Sequence, residues 1–172
     1  GEKLSYAHQW EETGLSQLQS QYKSHVIYDA APGGKDVVVL IDMTTEKNLK
    51  VAADLIYQFK PDGSLQITIT LSPSDVLAVL PRAGVTLKLP TSFQKVAYYG
   101  RGPFENYPDR KVAAHIGRYQ TTVSDMWVPY EKPQANGNRE DVRIVEFSSQ
   151  VGQENQVFGL HKFSISSSVY DA

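Results

Sequence analysis

The chain has 172 residues, of which 41% are hydrophobic and 21% are charged, and its formal net charge is −2. This length suits one domain with a sizeable core, and the balance of 17 basic against 19 acidic side chains argues against a nucleic-acid or anionic-membrane partner. The absence of cysteine excludes disulfides and thiolate metal sites, and no apolar run approaches the roughly 18 residues that span a bilayer.

The first part of the chain is predicted to form a short helix and then strands. Residues 6–12 carry Trp10 beside an acidic pair and are followed by Gly14, which is typical of a helix end. Runs of β-branched and apolar residues predict strands at 24–29 and 36–45.

Residues 48–60 are predicted to pair with the segment that follows them. Taken alone, they alternate imperfectly and would pass for a helix over 49–56. The turn sequence PDGS at 61–64 joins them to a segment in which every second residue from Leu65 to Leu71 is apolar. That turn favours a β-hairpin over a helix.

The second half of the chain is predicted to contain further short strands. Turn residues separate them, and no convincing amphipathic helix interrupts them. The pattern predicts an all-β, antiparallel sandwich in a single domain covering residues 1–172. The predicted strands of this half lie at 85–89, 95–100, 119–123, 142–147, 156–160 and 163–168.

Residues 97–143 combine groups that fix the backbone with many charged and amide side chains. Glycine permits positive φ and close backbone approach, whereas proline fixes φ, so a G-x-G-P run specifies one loop path. A loop held so firmly commonly presents functional groups. The shape-fixing residues are Gly100, Gly102, Pro103, Pro108, Pro129, Pro133 and Gly137.

Two blocks in this window resemble a known family. The run GRGPFENYPDRK at 100–111, followed by VPYEKPQANGNREDVR at 128–143, is similar to the small-chain (fifth) domain of LacZ-type β-galactosidases of glycoside hydrolase family 2. The resemblance implies the supersandwich, or galactose mutarotase-like, fold. Because members of this family continue beyond the matching point, we expect the chain to be an incomplete, C-terminally truncated fragment of that domain.

The resemblance also implies a function. We expect an accessory domain of a hydrolase, a glycosidase of carbohydrate metabolism that acts on terminal β-D-galactosides such as lactose. Its role would be to wall the active-site entrance and to contact the remaining domains of the parent β-galactosidase, itself expected to be a homo-oligomer.

Several expected absences follow from the same resemblance. The catalytic glutamates of the family lie in a separate (β/α)₈ barrel, so we assign no catalytic residue here and expect the isolated chain to be inactive. No cofactor is expected in this chain, because the Mg²⁺ and Na⁺ of the parent enzyme would bind in other domains. We expect a cytoplasmic location, with a periplasmic or secreted one as the alternative, since the chain begins with Gly1 and a targeting segment could precede it.

Glu105 and Asp109 are the carboxylates that invite a catalytic interpretation. Glycoside hydrolysis commonly uses two carboxyl groups. Arg101 and Arg110 lie beside them in sequence, however, and a neighbouring arginine favours the ionised carboxylate, which is the wrong state for a general acid. We therefore predict arginine–carboxylate pairs that lock the loop, with Arg139 and Arg143 as candidates to tie the 133–139 turn to the first loop through Glu105 or Asp109.

An independent carbohydrate-binding module is the alternative function. Sugar C–H faces pack on aromatic rings while amide and charged groups bind the hydroxyls, although rings of this kind also fill β-sandwich cores. Asn136-Gly137 is predicted to form a tight turn with positive φ. The candidate carbohydrate-binding residues are Arg101, Glu105, Asn106, Tyr107, Trp127, Asn136 and Arg139.

The four histidines are scattered and lack metal-ligand spacing, so we predict no metal site; they are His8, His25, His115 and His161. The fold analogy also raises aldose 1-epimerase activity, which needs a positioned acid and base. His115 is the histidine inside the 97–143 window, and it has no partner at motif spacing. Fold analogy alone does not establish that activity.

Overall fold

The computed structural model describes residues 5–30, 32–74, 80, 82–132, 134–152 and 154–168. The chain divides into two compact units after Val85. In the described residues, each unit contains one four-stranded antiparallel sheet. The predicted all-β, antiparallel fold class is confirmed, while the assignment of residues 1–172 to a single domain stays a prediction.

The first unit begins with helix α1, Tyr6–Thr13. The Ser5 side chain accepts a hydrogen bond from the backbone N–H of His8, and Gly14 ends the helix in the left-handed conformation. The rings of Tyr6 and Trp10 stack one turn apart, with 6.1 Å between their centroids. The predicted helix and its glycine stop are confirmed.

The sheet of the first unit is a simple meander. Its strands pair in the order β1-β2-β3-β4, each antiparallel to the next. Phe59 stands opposite Leu65 across the predicted PDGS turn, so the hairpin is confirmed. The strands are β1 (Gln19–Ala30), β2 (Gly34–Thr44), β3 (Lys50–Phe59) and β4 (Leu65–Pro73).

The second unit contains residues 97–143, the segment that carries both sequence blocks of the family resemblance. Its sheet has the order β6-β5-β7-β8. A short helix, α2, follows β6 and places Val123 and Met126 in the core beside Val96, Tyr98 and Val145. The elements are β5 (Phe93–Gly102), β6 (His115–Thr122), α2 (Val123–Met126), β7 (Arg139–Ser149) and β8 (Glu154–Ile165).

Two of the strand predictions are wrong in detail. Residues 85–89 belong to no strand, although the pattern predicted one there. The strands predicted at 156–160 and 163–168 form one strand, β8, whose pairing with β7 shifts register around Val142. A register shift interrupts the side-chain alternation without ending the strand, so the sequence pattern divides it in two.

Within the described part of the chain, no helix is long and apolar enough to cross a membrane.

Candidate functional site

Two loops lie at one end of the second unit's sheet. Residues 103–114, which we call the first motif loop, connect β5 to β6, and residues 127–138, the second motif loop, connect α2 to β7. Because β5 and β7 are antiparallel neighbours, the end of β5 and the start of β7 lie at the same end of the sheet. The fold therefore brings together the two sequence blocks that carry the family resemblance.

Glu105 bonds across the two loops. One carboxylate oxygen, Oε1, accepts a hydrogen bond from Arg110 Nη2 at 2.7 Å and another from the Tyr130 hydroxyl. The other oxygen, Oε2, accepts the backbone N–H of Gly137 at 3.0 Å. The Glu105 side chain is only 10% exposed. A carboxylate bonded in this way ties the first motif loop to the second, and its predicted pairing with Arg110 is confirmed.

Asn106 makes the second connection and is completely buried. Its Oδ1 accepts the backbone N–H of Glu140 at 2.9 Å, and its Nδ2 donates to the carbonyl oxygens of Arg101 and Phe104. Its backbone N–H donates to the Asn138 carbonyl, and its own carbonyl accepts Asn138 Nδ2 at 2.7 Å. We call the bonds of Glu105 and Asn106 to the second motif loop and to Glu140 the loop clamp.

Arg139 lies behind the loop clamp and is only 4% exposed. Its Nε donates to the Tyr98 hydroxyl at 3.0 Å, and its Nη1 donates to the carbonyl oxygens of Gly137 and Asn138. Burial raises the pKa of Tyr98, and the bond from Arg139 offsets part of that rise. The suggested tie from Arg139 to Glu105 or Asp109 is thus wrong, because the guanidinium bonds to the tyrosine and to backbone oxygens.

Arg101 pairs with a carboxylate that the sequence did not suggest. Its Nε donates to Asp141 Oδ2 at 2.5 Å, and its Nη1 donates to the carbonyls of Lys111 and Ala114. The hydrogen bond from Arg101, helped by the charge of Lys111, holds the pKa of Asp141 below its ordinary value. Arg143 likewise bonds to the Asp141 carbonyl and not to the first motif loop. Arg101 thereby attaches the end of β5 both to the start of β7 and to the last residues of the first motif loop.

The turn in the second motif loop requires glycine. Gly137 has φ +67°, as predicted, and a Cβ there would lie 2.4 Å from the carbonyl oxygen of Met126. Asn136 holds the same turn through Val128, since its Oδ1 accepts the Val128 N–H at 2.7 Å and its Nδ2 donates to the Val128 carbonyl at 2.5 Å. Pro133 of this loop lies outside the described residues.

Aromatic side chains surround the loop clamp at different depths. Phe104 is 51% exposed and Trp127 is 46% exposed. Tyr107 is half-buried beneath the Arg110 guanidinium, 5.3 Å from its ring centroid, and its hydroxyl donates to Glu105 Oε2 at 3.3 Å. Burial is the main cause of a raised pKa at Tyr107. Phe104 and Trp127 are therefore the large rings of these loops with the most accessible surface.

The candidate carbohydrate-binding residues separate by burial. Asn106 and Arg139 are buried and bonded to protein groups, whereas Trp127 is exposed and Arg101, Glu105, Tyr107 and Asn136 are intermediate. The sequence missed Tyr98, Asn138, Glu140 and Asp141 as members of the network. The dense polar run NGNRED at the start of β7 was the available signal for three of them.

In the part of the chain that the structure describes, no other cluster with catalytic or metal-binding character stands out. His115 is exposed at the first residue of β6, and Asp109 is exposed in the first motif loop. Among the described residues, no three or more histidine, aspartate or glutamate side chains gather where they could hold a metal ion. The geometry at the motif loops joins backbone segments; it does not present an acid and a base to a common point.

Comparison with known proteins finds similarity along nearly the whole chain. The family model described as beta galactosidase small chain matches residues 2–172. A beta-galactosidase of Vibrio cholerae is 32% identical over 162 residues, covering 93% of this chain and 16% of the relative. Those of Psychromonas ingrahamii and Oenococcus oeni are 34% and 30% identical, covering 78% and 90% of this chain. The chain thus spans only 13–16% of the length of these relatives.

Proposed function

The chain belongs to the β-galactosidase small chain family, and from that premise we propose that it is an accessory part of an enzyme hydrolysing terminal β-D-galactosides such as lactose. The catalytic glutamates of such an enzyme would be supplied by a separate barrel domain. This chain would contribute structure at the entrance to that active site and surfaces for the parent's other domains.

The loop clamp is the observation that carries the scaffold role. Glu105 and Asn106 direct their polar atoms to Arg110, Tyr130, Gly137, Asn138 and Glu140, all within the chain. A side chain whose hydrogen-bonding capacity is satisfied internally fixes a backbone path and offers little to a sugar hydroxyl. The family's motif residues therefore serve here to hold two loops in one arrangement.

The remaining expectations belong to the same proposal. The parent enzyme would be a cytoplasmic homo-oligomer, and its Mg²⁺ and Na⁺ would be held by residues outside this chain. We derive no step of the reaction through either ion. The contribution of this chain is positional, and its loss would be felt through the stability and arrangement of the parent.

The first test is the activity of the chain alone and of a chimaera. The isolated chain is expected to hydrolyse no o-nitrophenyl β-D-galactoside. When it replaces the matching segment of the Vibrio cholerae relative, the chimaera is expected to retain hydrolysis, because the loop clamp folds from residues inside the segment. Turnover by the isolated chain, or a well-folded but inactive chimaera, would overturn the accessory role.

The second test separates scaffolding from sugar contact in that chimaera. Glu105→Ala removes the bonds to Arg110, Tyr130 and Gly137, so it is expected to lower the melting temperature while the Michaelis constant changes less than twofold. Asp109→Ala is the matched control, since Asp109 is an exposed carboxylate of the same loop. An unchanged melting temperature with a large rise in the Michaelis constant would contradict the scaffold role.

An independent carbohydrate-binding module is the second candidate, favoured by the exposed rings of Phe104 and Trp127 beside the clamp. A heteronuclear NMR titration of the isolated chain with galactose and lactose discriminates the two. Localised, saturable shifts of amides in residues 98–143 would support the binding module. A well-dispersed spectrum without shifts at high sugar concentration would leave the scaffold role in place.

A further inference from the structure

Asn136-Gly137 is the only Asn-Gly pair in the sequence, and such pairs carry an intrinsic reaction. The backbone nitrogen after asparagine can attack the side-chain carbonyl carbon, Cγ, most easily when a glycine without Cβ leaves the nitrogen unhindered. The new N–Cγ bond replaces the C–NH₂ bond, the backbone nitrogen loses its proton, and ammonia departs. Water then opens the resulting succinimide at either carbonyl, giving aspartate or isoaspartate.

The structure holds both reacting groups, the Asn136 carboxamide and the Gly137 backbone nitrogen, in hydrogen bonds that oppose ring closure. The Asn136 carboxamide is fixed at two points by Val128, through its Oδ1 at 2.7 Å and its Nδ2 at 2.5 Å. The nucleophile, the backbone nitrogen of Gly137, keeps its proton in a 3.0 Å bond to Glu105 Oε2, and Gly137 is buried. Ring closure needs the carboxamide to leave Val128 and the Gly137 N–H to leave Glu105. All three hydrogen bonds must therefore open before the reaction begins.

We propose that Asn136-Gly137 is a deamidation site that the loop clamp protects, and that its reaction irreversibly releases the second motif loop. The modification traps an open state because its product cannot restore the original bonds. The side-chain nitrogen that donates to the Val128 carbonyl becomes a carboxylate oxygen, which faces that carbonyl as a second acceptor. In isoaspartate the backbone also gains a methylene, which moves Gly137 relative to Glu105 and to the Met126 carbonyl.

Glu105 controls the deamidation of Asn136 by holding the Gly137 N–H in position. Its carboxylate is held by Arg110 and Tyr130 while it accepts the Gly137 N–H. Replacing it by glutamine exchanges one acceptor oxygen for a donor nitrogen, so the amide cannot satisfy Arg110, Tyr130 and Gly137 together. The opening that deamidation needs should then be more frequent, because local opening is governed by the bonds that it breaks.

The experiment follows deamidation of the full chain at mildly alkaline pH by peptide mapping and mass spectrometry. The fraction of Asn136 converted to aspartate and isoaspartate is measured over time in native buffer and in guanidinium chloride. The native chain is expected to react at least ~10-fold more slowly than the unfolded chain, since it must first open locally. Folded Glu105→Gln is expected to deamidate several-fold faster than the native parent chain, which recovers part of that difference.

Two features guard against trivial explanations. Tyr130→Phe removes the Tyr130 hydroxyl from Glu105 without touching Gly137, so it provides a milder variant should Glu105→Gln fail to fold. The rate at Asn136 in guanidinium chloride is the internal control. Because unfolding breaks every bond of the loop clamp, this rate should be the same in all three proteins and therefore reports the reaction conditions.

The outcomes divide clearly. Slow native reaction at Asn136, faster reaction in either folded variant and a lower melting temperature of the isolated deamidated product support the proposal. Equal native and unfolded rates would overturn the protection. Unchanged rates in both folded variants would show that the loop clamp does not control the site, and an unaltered melting temperature after full conversion would overturn the release of the loop. Because activity is not measured, none of these results depends on the proposed role in a β-galactosidase.

Discussion

Asn106 is the residue at which a small change should cost the second unit the most. It is completely buried, and Asn106→Ala would leave the Glu140 N–H and the carbonyls of Arg101 and Phe104 without their partner. An unsatisfied buried polar group costs about 1–3 kcal/mol. We expect the free energy of unfolding to fall by about 3 kcal/mol or more, measured by urea denaturation.

The matched control is Asn155→Ala on β8. Asn155 is exposed, so its removal should change the free energy of unfolding by no more than about 0.5 kcal/mol. A loss at Asn106 no larger than that at Asn155 would mean that the clamp's hydrogen bonds contribute little to stability.

The Arg101–Asp141 pair should give the fold an acid-sensitive contribution. The pKa of Asp141 is lowered in the folded state, mainly by the hydrogen bond from Arg101, so the carboxylate stabilises the fold above the ordinary aspartate pKa of about 3.9. This contribution is lost as the pH falls through the lower, folded-state pKa. Asp141→Asn preserves the shape and tolerates the positive φ of 52°.

We therefore expect Asp141→Asn to be less stable than the parent chain at neutral pH and to approach it below about pH 4. Melting temperatures recorded across the acidic range would show the two curves converging. Asp109→Asn, at an exposed aspartate, should run parallel to the parent chain. If the curve for Asp141→Asn also ran parallel to that of the parent chain, the Arg101–Asp141 ion pair would make no acid-sensitive contribution to stability.

At the scale of elements, local sequence patterns predicted the positions of most strands. They failed where pairing with a neighbouring strand decides whether a segment is a strand and where that strand ends. Residues 85–89 have the composition of a strand but take no part in either described sheet. Within β8, the register shift near Val142 hides the continuity of the strand from the sequence pattern. Helix α2 is only four residues long, too short to show a helical period. A strand is defined by its neighbour, and the sequence of one segment does not contain that neighbour.

The candidate site shows the same limit of prediction from one sequence segment. The pairing of Glu105 with Arg110 was predictable because the two residues share a tight loop. Arg101 was expected to pair with Glu105 or Asp109 but binds Asp141, forty positions away, because β5 lies beside β7. The sequence therefore indicated that charged groups lock the loops. Which groups do so depends on a strand pairing that no short motif specifies.

Gly137 should be the most demanding position of the second motif loop. Gly137→Ala places a residue with Cβ in the left-handed region, which costs roughly 1–2 kcal/mol. The new methyl group also overlaps the Met126 carbonyl, at 2.4 Å, and such overpacking adds about 1–3 kcal/mol. We expect the sum of both penalties as a loss in the free energy of unfolding by chemical denaturation.

Gly63→Ala separates the two penalties. Gly63 has φ +83°, close to that of Gly137, but nothing lies within 4 Å of its Cβ position. It should lose only the conformational part, roughly 1–2 kcal/mol. Equal losses at the two glycines would show that the second motif loop moves away from Met126 at little cost.

At the scale of the whole molecule, the outer strands of each sheet are the ones that can pair with another chain. β8 is an outer strand of its sheet, and both Phe158 and Leu160 on it are largely exposed, at 66% and 80%. An outer strand carries unpaired backbone N–H and C=O groups, and exposed apolar side chains make it a template for another chain. We expect the isolated chain to associate as its concentration rises, through β8.

Leu160→Lys tests that association, because a charged side chain on an outer strand opposes pairing with a second copy. Sedimentation velocity over a range of concentrations should show less association for the variant, at a stability within about 0.5 kcal/mol of the parent chain. Val112→Lys is the matched control: Val112 is 93% exposed but lies in the first motif loop, outside the described strands. If Val112→Lys reduced association equally, general loss of exposed apolar surface would be the cause; if neither variant did, β8 would not be the contact. Reduced association in Leu160→Lys alone would identify β8 as the edge through which copies of the chain associate.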